Sequence, residues 1–429
     1  MDEPFHIPQA QAYCHGEFST WDPKITTPPG LYVLSWILKR LFLFKCNVNM
    51  LRLTPLLTLL ALPLALTRLL CYHKRERPPA SITSPLVEAI ILSAFPIAWF
   101  FGFLYYTEVP SVTLVVWTVV AASEGKHWLA ALLGLLSCTF RQTNIVWVLY
   151  AYASSQLVFL RFRRAPAGQP APAKLHDPPS LVAGPGDLLR SIISFPKVLP
   201  DILPAFVPYT LVVAAFGAFV VWNGGVVLGD KSNHIPALHI PQLYYFVAAA
   251  TFFGWPVLLF GKEGPDVLLR EVRSRMFGNK TRTSITLAVC GIMGMTVKLF
   301  TIHHPFLLSD NRHYTFYVWR RIYMFHPAVP YLLIPVYLAC AWAWFLRIGQ
   351  DQTLLQSLLL PFFVVPTLLP SPLLEPRYFL IPYFLLRAQV SDVSELGVGL
   401  EGVWYTLINV ITMGVFLYLP REGVGRFMW

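Results

Sequence analysis

Residues 1–32, MDEPFHIPQAQAYCHGEFSTWDPKITTPPGLY, set carboxylates, amides and aromatic rings close together. Asp2 and Glu3 are adjacent, and Gln9, Trp21 and Asp22 follow within the same stretch. Such a set suits carbohydrate chemistry. A carboxylate can take a proton from a hydroxyl, amides bond to hydroxyls, and aromatic faces stack on sugar C–H surfaces. The same two carboxylates would also serve as a solvated cap at a helix end, so residue type alone leaves both readings open.

A second group is cationic. DNRHYTFYVWRR, residues 310–321, sets Arg312, His313, Arg320 and Arg321 among four aromatic residues. A guanidinium bonds two oxygens at once, which makes these residues natural partners for a phosphate. They equally resemble basic anchors in an aromatic belt at the edge of a membrane span. LGDKSNH, residues 228–234, offers Lys231 and His234 in the same terms. Arg141 in FRQTN and the Glu375–Arg377 pair in LEPRY read either as site charges or as structural pairs at span ends. No HExxH or DxD motif suggests a metal, no Gly-rich loop suggests a nucleotide, and no cofactor is expected. A lipid-phosphate donor fits better than a nucleotide sugar.

The elements that must position these residues are written in the composition. The chain is 55% hydrophobic and only 13% charged, where soluble domains carry about 25% charged residues. Apolar runs recur, among them 55–70, 206–222, 243–260, 285–300 and 331–346, and a bilayer-crossing helix needs about 20 mostly apolar residues. The chain is an all-α polytopic membrane protein, with about 12 spans expected. Its net charge of +11 resides in short loops between apolar segments, which excludes nucleic acid as a partner and makes the lipid bilayer the expected one. The six cysteines show no paired spacing and read as small buried hydrophobes, not as ligands or a disulfide frame.

Lys and Arg in the loops give the sidedness. Basic loops at 73–77, 124–126, 161–200 and 262–282 fall on one side, the cytosol. The motifs at 105–108, 140–144, 223–239, 303–321 and 373–379 all fall on the other. Residues 30–44 are apolar but short, with Lys39 and Arg40 inside them, and read as an interfacial helix. The opening segment then belongs with the motifs, and a transmembrane helix is expected ahead of Met1. The expected organisation is a first lumenal loop with an interfacial helix (1–49) and transmembrane helices (50–160). A disordered cytosolic linker rich in Pro and Ala (161–202) follows, then further transmembrane helices (203–429) with lumenal loops at 223–239, 303–327 and 371–377. The sequon at Asn279 falls on the cytosolic side, so a glycan there would overturn the assignment.

MDEPFHIPQAQAYC, WDPKITTPPGLY, FLYYTE, FRQTNIVW, NGGVVLGDKSNH, DNRHYTFYVWRR, LEPRYFLIPY and the terminal RFMW together closely resemble a known family. It is that of the endoplasmic-reticulum α-1,2-glucosyltransferases that use dolichyl phosphate glucose. The resemblance runs the length of the chain and implies the GT-C architecture, a multi-pass location in the endoplasmic-reticulum membrane and a lumenal active site. It further implies inverting transfer of the last, third glucose to the 2-hydroxyl of the terminal glucose of Glc2Man9GlcNAc2-PP-dolichol, the dolichyl-diphosphate-linked oligosaccharide. By analogy with the acidic residue that opens the first lumenal loop of related enzymes, Asp2 is the expected base and Glu3 the second choice. Arg312, His313 and Lys231 are the candidates for the donor phosphate; Gln9, Trp21 and Asp22 are the candidates for the acceptor.

The alternatives are a dolichyl-phosphate-sugar-dependent mannosyltransferase, a transporter and a non-catalytic regulatory subunit. A transporter would show charges in mid-span and an internal hydropathy repeat, and the sequence suggests neither.

Overall fold

The computed structural model describes residues 3–43, 45–164, 171–229, 231, 235–304, 307, 311–420 and 425–429. Among these residues there are helices and three isolated bridges, with no strands. That is the expected solution for a chain in lipid, because a helix satisfies its own backbone groups. In chain order the first helices are α1 (Glu3–His15), α2 (Gly30–Phe42), α3 (Val48–Lys74), α4 (Val87–Ser93), α5 (Pro96–Gly102) and α6 (Glu108–Ser123). Next come α7 (His127–Cys138), α8 (Ile145–Phe162), α9 (Pro185–Asn223), α10 (Pro241–Leu259), α11 (Pro265–Phe277) and α12 (Lys280–Phe300). The main later helices are Ile334–Gly349, Leu354–Leu368, Leu380–Ala388 and Glu395–Tyr418.

Every expected apolar segment is helical, and among the described residues 7 helices are long and apolar enough to cross a membrane. The others are short or broken. The segment expected at 86–103 is split into α4 and α5 at Pro96, whose ring cannot donate to the ladder. α2 has 13 residues, about 20 Å of helix. It buries Leu31, Tyr32 and Ser35 while leaving Leu41 and Phe42 exposed.

Two expectations need correction. Residues 185–202 are not a disordered linker but the first half of the 39-residue α9. Pro196, Pro200, Pro204 and Pro208 sit inside that helix. Spaced by four, they fall on one face and leave the other faces to complete the ladder. Ahead of α9, residues 171–184 form a strap. Asp177 accepts from Thr353 Oγ1 at 2.6 Å and from the Leu355 N–H at 2.9 Å, and the Ser180 N–H donates to the Gln352 carbonyl. The second correction concerns cysteine, since Cys14 and Cys46 form a disulfide with a Cα–Cα distance of 6.4 Å. Cys71, Cys138, Cys290 and Cys340 remain free thiols.

The chain divides into two compact units. The first comprises residues 1–85, 101–233 and 349–363, and α3, α6, α7, α8 and α9 pack within it. The second comprises residues 86–100, 234–348 and 364–429, in which α10 packs on the helix Glu395–Tyr418. The second unit holds charges that the sequence reading did not place in mid-span. Arg387 is fully buried and donates from Nε and Nη2 to both oxygens of Glu401, 2.8 Å each, and from Nη2 to Glu88 at 2.9 Å. One guanidinium here serves two buried carboxylates, and Tyr405 also donates to Glu401. They build a structure, not a transport path.

Candidate active site

α3 is a ruler for the first unit, because its 27 residues span about 40 Å. Near its start, Arg52 meets Glu3. Nε donates to Oε1 at 2.8 Å and Nη2 to Oε2 at 2.7 Å. The Tyr105 N–H donates to the same Glu3 Oε1 at 2.9 Å. At the far end, Arg68 pairs with Glu124 at 2.8 Å, while Arg75 and Arg161 both donate to the Asp351 carbonyl. Within this unit the motif residues therefore gather near the start of α3 and the basic residues near its end.

The motif end is assembled from four separate stretches. Glu108 pairs with Arg141 at 2.9 Å, and Gln142 donates from Nε2 to the Thr26 and Val226 carbonyls at 2.8 and 3.0 Å. Gln142 thus ties the FRQTN segment to the first loop and to the segment after α9. The Gly30 N–H donates to the Thr139 carbonyl at 2.8 Å. Gly229 adopts φ +62, and a Cβ there would lie 2.3 Å from the Pro23 carbonyl oxygen. Only glycine permits that approach.

Within this frame the first loop is held from inside. Gln9 spends both ends of its amide on the loop backbone: Nε2 donates to the Thr20 carbonyl at 2.6 Å, and Oε1 accepts from the Asp22 N–H at 2.9 Å. His6 Nδ1 and the Tyr32 hydroxyl share a hydrogen bond. Tyr32 is ringed edge-on by Tyr13 and Trp21, with centroids 5.6 and 6.1 Å away. Beneath them lie Ala10, Ile25, Leu31, Leu51 and Phe140. Burial lifts the Tyr13 hydroxyl above its ordinary pKa, and it does the same for Tyr105. The Cys14–Cys46 bridge closes the segment, and Lys39 donates to the Cys14 carbonyl at 2.6 Å.

Two groups in this loop remain open toward a ligand. The Trp21 indole N–H is buried without an acceptor among the described residues. Asp22 accepts from the Lys24 N–H through Oδ1 alone, at 2.9 Å. Asp2, the expected base, lies outside the described residues. Glu3, the second choice, is engaged on both oxygens by Arg52. Lys231 sits past the end of α9, where it donates to the Asn223 carbonyl.

Arg312 and His313 belong to the second unit, so they share no unit with Glu3, Gln9, Trp21, Asp22 or Lys231. The terminal RFMW segment lies against them. The Met428 N–H donates to the Arg312 carbonyl at 2.9 Å, and His313 Nδ1 lies 2.9 Å from the Trp429 carbonyl oxygen. Tyr314 and Trp429 approach with ring centroids 5.0 Å apart. The Tyr314 hydroxyl and the Trp429 indole N–H are both buried and, among the described residues, lack hydrogen-bond partners. Arg377 pairs with Glu375, one of the structural outcomes the sequence left open.

Sequence reasoning missed Arg52, Gln142 and the two donors beside Arg312. Arg52 looks like an ordinary cation at a span edge, and the role of Gln142 depends on contacts remote in sequence. The side chain of Asn279 caps α12 by accepting from the Arg282 N–H at 2.8 Å.

Comparison with known proteins gives the context for this geometry. Residues 1–388 match the DIE2/ALG10 family. A mouse (Mus musculus) relative named Dol-P-Glc:Glc(2)Man(9)GlcNAc(2)-PP-Dol alpha-1,2-glucosyltransferase is 36% identical over 462 residues, covering 100% of this chain and 93% of that protein. Proteins of the same name from Arabidopsis thaliana and Homo sapiens are 33% and 34% identical, each over 100% of this chain and 94% and 93% of their own lengths. No solved structure matches. The chain belongs to the DIE2/ALG10 family.

Proposed function

We propose that this chain transfers glucose from dolichyl phosphate glucose to Glc2Man9GlcNAc2-PP-dolichol, forming the terminal α-1,2 linkage in the endoplasmic-reticulum membrane. The observation that carries this reading is its similarity, over the whole chain, to relatives named for that reaction. The donor glucose is β-linked to phosphate and the product bond is α, so one displacement with inversion suffices. A single base must remove the proton of the acceptor 2-hydroxyl, and the phosphate leaves as a stable anion without an acid.

Asp2 is our candidate base. Its sequence neighbour Glu3 is fixed by Arg52 and the Tyr105 N–H, an anchor that supports a base at this point. Glu3 then acts as a positioning residue. Gln9 holds the loop, while Trp21 and Asp22 present an unspent N–H and an unspent carboxylate oxygen to sugar hydroxyls. Arg312 and His313, beside the unspent donors of Tyr314 and Trp429, suit the developing charge on a departing phosphate. Lys231 is the further cation proposed for that role. A lumenal site is supported by the Cys14–Cys46 bridge, which needs an oxidising compartment and lies at the motif end.

Glucose transfer should be assayed in membranes carrying the Asp2→Asn chain. We expect a loss of about 10²–10⁴-fold, the usual scale for removing a general base. Unchanged turnover would remove Asp2 from the role. A larger loss in Glu3→Gln than in Asp2→Asn would transfer the role to Glu3.

A further inference from the structure

The end of the first unit opposite the motifs contains a cavity of about 550 Å³. It lies between the turn after α6, the last turns of α8 and the middle of α9. Its wall is unbalanced in hydrogen-bonding capacity. Ser123 and Ser155 donate their hydroxyl protons to the Val120 and Tyr152 carbonyls of their own helices, each at 2.7 Å. The Ser123 oxygen remains as an acceptor, while that of Ser155 already accepts from Gln156 Nε2 at 3.3 Å. Asp201 pairs with Arg163 through Oδ2 at 2.7 Å. Among the described residues no donor reaches Asp201 Oδ1 or Gln156 Oε1. Glu124 takes one cation on each oxygen, Arg68 on Oε1 and Lys126 on Oε2, and keeps a further lone pair on each. Burial works against its charge, yet Lys126 and Arg68 more than offset it and hold the carboxyl below its ordinary pKa.

The donors of the wall are, by contrast, largely spent. Arg163 is committed to Asp201 and to the Ala173 carbonyl, and one nitrogen of His127 faces the Tyr209 hydroxyl at 3.1 Å. Both carboxylates already face cations, so the open capacity of the wall lies in acceptor lone pairs, which suit a compact group bearing several N–H groups. The setting specifies its source. Phe159 and Phe162 of α8 line the cavity, and Leu203 and Val207 are exposed on the neighbouring stretch of α9, on helices long and apolar enough to span a bilayer. A lipid lying along these helices would bring its headgroup to the cavity, and Lys126 and Arg68, each already bonded to Glu124, keep further N–H groups for a phosphodiester.

We infer that this cavity binds a phospholipid whose headgroup ends in a primary ammonium, as in phosphatidylethanolamine. The ammonium donates to Asp201 Oδ1, Gln156 Oε1 and Glu124, the phosphate faces Lys126 and Arg68, and the acyl chains follow the exposed phenylalanines. N-methylated headgroups carry the same charge but have no N–H to give, so the site discriminates between them.

The test uses the delipidated full chain in detergent, titrated with phosphatidylethanolamine or phosphatidylcholine. Native mass spectrometry reads retention, and thermal unfolding reads protection. Phosphatidylethanolamine should be retained about tenfold more tightly, the scale of one or two charge-assisted hydrogen bonds. Asp201→Asn and Gln156→Leu should each erase most of that preference, and Ala205→Phe should exclude the headgroup by volume. Asp201→Asn and Gln156→Leu nearly keep the native shape, so the test stands even if Ala205→Phe fails to fold. Equal retention of the two lipids overturns the proposal, as does an unchanged preference in Asp201→Asn and Gln156→Leu. Soluble phosphoethanolamine protecting as well as the lipid overturns the assignment to a membrane headgroup.

Discussion

Arg52 with Glu3 and Arg387 with Glu401 are the same fork of guanidinium on carboxylate, with donor–acceptor distances of 2.7–2.8 Å in both. Their surroundings differ. The Arg52 side chain is 37% exposed at a span edge, whereas Arg387 and Glu401 are 0% exposed and share Arg387 with Glu88. A half-wet ion pair can loosen at modest cost, because water takes over the freed groups. A dry pair cannot: removing one partner leaves an uncompensated charge in the interior. One fork is suited to hold a working loop and the other to specify a core.

The strongest way to break the comparison is to cut both forks. Arg387→Met should cost about 3–5 kcal/mol of stability, because it strips two buried carboxylates of their cation. Folded yield and thermal midpoint in detergent would report it. Glu88→Gln should cost less, since Arg387 keeps both oxygens of Glu401. Glu3→Gln should cost about 1 kcal/mol or less in stability while lowering glucose transfer. An Arg387→Met protein as stable as the parent would end the distinction between the two forks.

The disulfide gives the next largest effect. Bridging residues separated by 32 positions removes about 4 kcal/mol of loop freedom from the unfolded chain. Cys14→Ser with Cys46→Ser should lower the thermal midpoint and depress glucose transfer, because the bridge clamps the loop that bears the acceptor candidates. A reducing agent should reproduce the loss of transfer in the parent and have no further effect on the double variant.

A buried histidine provides a third contrast. His239, ahead of α10, has no exposure. Burial lowers its pKa to about 4, with a hydrogen bond to the Ser371 backbone acting against it and His303 adding a smaller push in the same direction as burial. The unfolded chain, titrating near 6.5, therefore binds this proton before the folded chain does. The stability from a neutral His239 is complete above about pH 6.5 and is lost as the pH falls toward about 4. Between pH 7.5 and pH 5 the loss should be about 2 kcal/mol. Comparing melts of the parent and His239→Leu would check it, since the variant should lack this part of the pH dependence.

What could be read in advance follows from range. A sidedness could be assigned from sequence because the Lys and Arg bias of short loops is local, and each basic loop speaks for itself. The motifs of the first loop, FRQTN and NGGVVLG were visible as polar aromatic islands in an apolar chain. Their joining by Gln142 was not, because it depends on Thr26 and Val226, remote from it in sequence. The Arg387 triad was hidden for the same reason: Glu88, Arg387 and Glu401 each look like an isolated charge. α9 was misread because four prolines suggest a breaker, while their four-residue spacing confines the damage to one face. Cys14 and Cys46 lack any short-range spacing signature, and only the turn from α1 through α2 brings them together.

The smallest predicted change makes the finest test. Gly229 holds φ +62, and its missing side chain lets the segment after α9 lie against the Pro23 and Ile25 carbonyls of the first loop. In Gly229→Ala the left-handed backbone costs about 1–2 kcal/mol. The new Cβ must also push away two backbone oxygens that cannot rotate aside. The strain falls on a contact between loops, so the segment after α9 should separate from the first loop before any helix unpacks. The thermal midpoint should drop only slightly, while glucose transfer falls about tenfold through a higher acceptor KM, as expected for a misplaced binding loop. A kcat loss at unchanged KM would show that Gly229 acts on the chemical step instead. If stability fell with activity unchanged, the motif end would behave like the Arg387 core, and the contrast between the two regions would be void.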